Sequence, residues 1–83
     1  PDLTEETRKE FIKKARSEAE NAKVSLRNVR REGNSQLKEF LKEKEISDDE
    51  ERQGEEEIQK LTDLFVGRVN EALSAKEKDL LDF

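Results

Sequence analysis

Eighty-three residues, 47% of them charged and with four phenylalanines as the only aromatics, leave too little apolar material for a compact globule and suit long helices that bury two or three residues in seven. With neither cysteine nor histidine, the chain lacks a disulfide framework, a thiolate metal site, and the commonest general base and metal ligand. The net charge of −5 is unevenly laid out, with nine bases against three acids over residues 8–31 and five bases against twelve acids over residues 32–63, so one basic surface is expected on an otherwise acidic rod.

No run of even ten apolar residues and no signal-peptide pattern occurs, which predicts a cytoplasmic, soluble chain without a membrane partner. Disorder is the competing outcome for a chain this charged. The regular apolar spacing argues against it.

Thr4 reads as the N-cap of a first helix, because Glu5 and Glu6 then fall in the first turn, where the helix dipole favours carboxylates. Asp2 with Glu5 forms an alternative capping box, which leaves the start open by two residues. From there Phe11 or Ile12, Ala15, Ala19, Ala22, Leu26, Val29, Gly33, Leu37 and Phe40 or Leu41 recur at steps of three and four, the period of an amphipathic helix. The alanines predict close approach of a neighbouring helix, and Leu37, Phe40 and Leu41 a thicker core toward the far end. Gly33 costs about 1 kcal/mol against alanine in a helix interior, and is expected to loosen or bend the helix.

Within this helix the stretch Val24 to Asn34 turns basic. Arg27, Arg30 and Arg31 stand at i, i+3 and i+4, within about a turn and a quarter of one another. Leu26 and Val29 are expected on the neighbouring stripe, facing a partner helix. Three guanidiniums on a rigid rod suit phosphate, since each offers a planar fork of donors that never loses its charge. The plainer alternative is a solvated charged face.

Lys44-Glu45-Ile46-Ser47 reads as a turn, followed by a capping box of Ser47 with Glu50, while Asp48 and Asp49 load the new helix N-terminus with negative charge. The second helix carries Ile58, Leu61, Phe65, Val69, Ala72, Lys76, Leu80 and Phe83 as one stripe, widened by Leu64, Val66, Leu73 and Leu81. Gly54 and Gly67 weaken it without ending it. The pattern therefore predicts an all-α chain, a coiled-coil-like antiparallel hairpin of helices over about 4–44 and 48–81. A stripe this wide cannot be hidden between two helices, so a third is implied. Without it the hairpin exposes a groove, expected to draw on Phe11, Ile12, Leu37, Leu41, Val66 and Leu73.

Catalysis is not expected, because the paired carboxylates sit on what should be a solvated face rather than in a cleft that separates their pKa values. No calcium-binding spacing, phosphate loop or Ser/His/Asp set occurs, so neither a metal nor a cofactor is expected. Aromatics do not interleave with the bases, which leaves recognition of a nucleic-acid backbone by Arg and Lys.

The runs Leu3-Thr4-Glu5-Glu6-Thr7-Arg8-Lys9, Ala22-Lys23-Val24-Ser25-Leu26-Arg27-Asn28-Val29-Arg30-Arg31, Lys44-Glu45-Ile46-Ser47-Asp48-Asp49-Glu50 and Ile58-Gln59-Lys60-Leu61-Thr62-Asp63 resemble bacterial ribosome recycling factor, in the same order. The resemblance covers essentially the whole sequence, but only part of the family's chain: the N-terminal helix and the small β-rich second domain of such a factor are not in it. It implies that residues 1–83 are the hairpin portion of a three-helix bundle that binds large-subunit ribosomal RNA. Together with elongation factor G, which hydrolyses the nucleotide, such a factor splits the ribosome after termination. The positions that match the family are Arg8, Arg27, Arg30 and Arg31. Lys13, Arg16 and Lys23 join the RNA-binding candidates on charge alone. Gly33 departs from the alanine usual in the family.

A second reading, from another class, is a structural hairpin that pairs with another protein's helix and has no RNA role. On either reading the groove predicts that the chain by itself forms a homodimer or takes up a partner helix.

Overall fold

In the computed structural model, residues 4–81 are described; the alternative cap at Asp2 and the stripe position Phe83 lie outside them. Two helices account for nearly all of the described chain, α1 (Glu5–Lys42) and α2 (Asp48–Leu81), packed antiparallel as a hairpin 62 Å long and 15 × 13 Å across. Its radius of gyration is 18.8 Å, against about 12 Å for a globule of this length. The shape is a rod.

Local chemistry sets each end. The Thr4 hydroxyl accepts the Thr7 N–H at 3.1 Å and starts α1. At its other end the Lys44 N–H donates to the Leu41 carbonyl at 3.0 Å and the Glu45 N–H to the Phe40 carbonyl at 2.9 Å. This is the Schellman pattern, and it requires a left-handed residue, here Lys44 at φ 61°. A lysine in this conformation costs about 1 kcal/mol or more that glycine would avoid. Ser47 and Glu50 then exchange bonds: the Ser47 N–H donates to Glu50 Oε1 at 2.9 Å and the Glu50 N–H to Ser47 Oγ at 3.1 Å. The capping box satisfies both donors and starts α2 within a few residues of the end of α1.

The seam between the helices is thin. Among the described residues only Ile12, Ala19, Thr62 and Leu80 are buried, and no large side chain is fully enclosed. Near the turn the helices meet at glycine: a Cβ on Gly33 would lie 3.0 Å from Ile58 Cδ1, and one on Gly54 would lie 2.8 Å from Leu37 Cδ1. Each missing side chain makes room for its partner's methyl groups. α1 runs unbroken through Gly33.

The apolar stripe divides differently from the expectation. Val29, expected on a stripe facing a partner helix, is 67% exposed in the hairpin, and Leu61 and Phe65 are 53% and 43% exposed, whereas the polar Thr62 is buried. A helix with one neighbour buries a single narrow row, and on α2 that row passes through Ile58 and Thr62, one turn apart, rather than through Leu61. Thr62 stays satisfied because its hydroxyl donates to the Ile58 carbonyl at 2.7 Å. Of the residues expected to line the groove in some combination, Phe11 is exposed, Ile12 is buried, and Leu37, Leu41, Val66 and Leu73 are half-buried. The open groove is made instead by Leu26, Val29, Leu61 and Phe65, and continues through Ala22 and Ala72. Phe11 and Ala15 extend the same apolar side toward the open end of the hairpin.

Charge also separates by helix. α1 holds eleven bases against seven acids, and α2 holds five bases against eleven acids.

Candidate nucleic-acid interface

The bases of α1 arise from a sequence with a basic residue at nearly every turn between Arg8 and Arg31. The hairpin sorts them into three settings. On one flank Arg16 Nε donates to Glu77 Oε1 of α2 at 2.6 Å. This bond, with the charge of Glu77, raises the pKa of Arg16 above its ordinary value. Two turns along, Lys23 Nζ donates to Asn70 Oδ1 of α2 at 3.1 Å and stands 3.3 Å from Glu20 Oε2. With a side chain only 18% exposed, Lys23 acts as a cross-link between the helices.

Arg27 and Arg31 follow beyond these links. Arg27 Nη1 lies 3.8 Å from Glu20 Oε1, with 41% of its side chain exposed. Arg31 Nη1 donates to Asn28 Oδ1 at 3.0 Å, a neutral partner that leaves its charge uncompensated by that contact. Lys13 is exposed on the same helix.

Arg30 is set apart. It is half-buried and borders the apolar groove beside Leu26, Val29 and Ile58. The three arginines that share a turn and a quarter of helix therefore do not share one environment: Arg27 and Arg31 stand on the flank and Arg30 at the groove's edge. Arg8 is further off, beside Glu5, Ile12 and Leu81 near the open end of the hairpin.

Sequence reasoning identified the cations but not their partners. Glu20 was within reach of such reasoning, since it stands three residues before Lys23 and seven before Arg27, on nearly the same face. Asn70 and Glu77 carried no comparable signal, because their contacts depend on the register of α2 against α1. Across the groove Arg68 of α2 lies over the Phe65 ring, 5.3 Å from its centroid, a cation–π contact that holds the guanidinium against the groove wall.

Among the described residues no cluster of three or more acidic side chains is arranged to hold a metal ion, and no helix is long and apolar enough to cross a membrane. The arrangement offers hydrogen-bond donors and positive charge along one edge of a rod, and an apolar groove beside it. Such an edge can hold an anionic backbone without reading bases.

Comparison with known proteins follows the same line. The sequence model of the family described as ribosome recycling factor matches residues 1–81. The ribosome-recycling factor of Marinomonas sp. (strain MWYL1) is 52% identical over 82 residues, which cover 99% of this chain and 44% of that protein. The chain thus spans less than half the length of that relative.

Proposed function

Because the chain belongs to the ribosome recycling factor family, we propose that residues 1–83 are the helical-hairpin portion of that family's long-helix domain, with the basic edge of α1 binding large-subunit ribosomal RNA. The groove along Leu26, Val29, Leu61 and Phe65 is where the third helix of the bundle lies. In the cytoplasm such a bundle acts with elongation factor G to separate the subunits after termination. The hairpin supplies position and binding energy; the nucleotide hydrolysis belongs to the partner.

The observation that carries this reading is the arginine group. Arg27 and Arg31 offer partly exposed forks on one flank and Arg30 adds a third at the groove's edge, and all three stand in a run that resembles the family. Arg8 stands in another such run, while Arg16, Lys23 and Lys13 widen the positive field, the first two through side chains already tied to α2.

Alanine substitution of Arg30 in a full-length family chain carrying this hairpin tests the reading. A charge-assisted hydrogen bond contributes about 1.5–3 kcal/mol, so ribosome affinity should fall by tenfold or more, while folding stability changes by less than about 1 kcal/mol. Arg52→Ala, on α2 and in contact with Asp49, is the control. Equal losses of affinity from both substitutions would remove the basic edge of α1 as the binding surface.

The groove itself supports the second reading, a hairpin that pairs with a helix of another protein. Salt separates the two. Binding through phosphate contacts weakens steeply as salt rises, whereas binding through the groove hardly changes.

A further inference from the structure

Glu20 commits both carboxylate oxygens to the basic flank, Oε2 at 3.3 Å from Lys23 Nζ and Oε1 at 3.8 Å from Arg27 Nη1. A carboxylate presents to a guanidinium the same pair of acceptor oxygens as a phosphate. One oxygen of Glu20 therefore stands within ion-pair distance of the guanidinium that a backbone phosphate would engage.

The two contacts are unequal. Lys23 is 18% exposed and held a second time by Asn70 at 3.1 Å, so it is anchored whatever Glu20 does. Arg27 is 41% exposed and its contact is long, so the guanidinium can exchange Glu20 for another anion. One turn further, Arg31 is bonded to the neutral Asn28. Among the described residues no carboxylate lies within ion-pair distance of Arg30 or Arg31.

We propose that Glu20 weakens phosphate binding at this edge by competing for Arg27. The proposal rests on the nucleic-acid reading above, and its ligand is the backbone phosphate of folded RNA. A phosphate arriving alone must displace Glu20 without help. A phosphate carried on a strand that also engages Arg30 and Arg31 displaces it as part of a larger gain. Displacing Glu20 costs the same for every ligand that engages Arg27, so a lone phosphate, with nothing to offset that cost, is held weakly, while a strand that also engages Arg30 and Arg31 stays bound. Exposed ion pairs contribute little to folding, so the exchange is readily reversible and the charge can be removed without unfolding the hairpin.

Glu20→Gln keeps the side chain's size and removes its charge. Inorganic phosphate titrated against the protein, followed at the Arg27 Nε–H in NMR spectra, reads the competition directly, and the variant should bind about twofold to fivefold more tightly than the wild type. Filter binding to a random-sequence RNA duplex over a salt series should show a comparable gain, with the slope of log K against log salt steeper by about 0.9 for each phosphate newly held. Glu18→Gln makes the same change in net charge on the groove side, beside Phe11 and Ala15, and should leave both measurements unchanged. An equal gain from Glu18→Gln, or none from Glu20→Gln, would overturn the proposal. A gain with inorganic phosphate, with neither protein binding RNA, would uphold the competition at Arg27 and overturn the choice of RNA as its ligand.

Discussion

The Glu50 carboxylate accepts the Ser47 N–H, with the Ser47 hydroxyl close by, and the two bonds hold its pKa below the ordinary carboxylate value. A carboxyl depressed by folding contributes stability that is complete above its unfolded pKa and is lost as pH falls through the folded one. Glu51 has the opposite sign. Its hydrogen bond to Glu55, with burial and that neighbour's charge, raises its pKa, so its contribution is lost as pH rises through the folded value. Thermal melts of Glu50→Gln should therefore differ most from wild type at neutral pH, and the two proteins should converge in acid below the carboxylate range. A constant gap across that range would show that the cap is insensitive to protonation. This residue pair was legible in the sequence because both partners lie within one turn, where spacing alone fixes geometry. Arg16 with Glu77 and Lys23 with Asn70 were not, since residues 61 and 47 positions apart are joined only once the hairpin register is known.

Both helices could be read from the period of their apolar residues, and the turn from its caps. Which residues of each stripe face the partner could not, because a stripe wide enough for two neighbours does not say which one is present. Leu61 and Phe65 belong to the stripe yet look into the groove, and Thr62, which no hydrophobic pattern selects, is buried in the seam. The glycines show the same division between helix and packing. A Cβ on Gly67 would meet nothing within 4 Å, whereas on Gly54 it would stand 2.8 Å from Leu37 Cδ1. Gly67→Ala should raise stability by about 1 kcal/mol through helix propensity alone. Gly54→Ala draws on the same propensity but must push Leu37 aside, so its net gain should be smaller. Denaturant midpoints of the two variants decide the matter, and a larger gain at Gly54 would mean that the seam is looser than these distances imply.

Among the described residues the hairpin has a basic edge and an apolar groove, and no closed core. Soluble monomers seldom leave a contiguous apolar strip of this kind uncovered. The 83-residue chain by itself should accordingly associate groove to groove into a four-helix arrangement. Circular-dichroism melts at ~5 and ~500 μM should then show a midpoint that rises with concentration. A midpoint independent of concentration, with a monomeric mass in sedimentation, would mean that two helices suffice to bury the stripe. The division of charge between the helices has a separate consequence, for the approach to a target rather than the final contacts. With an excess of bases on α1 and of acids on α2, the axes about 8–10 Å apart, the rod is a transverse dipole. Near a polyanion it feels a torque that rolls it about its long axis until α1 leads, before any side chain touches. Fewer encounters are then wasted on the wrong side, so the association rate constant should fall steeply with added salt and carry most of the salt dependence of affinity, while dissociation changes less. Stopped-flow traces over a salt series would show the reverse if orientation were found only after contact.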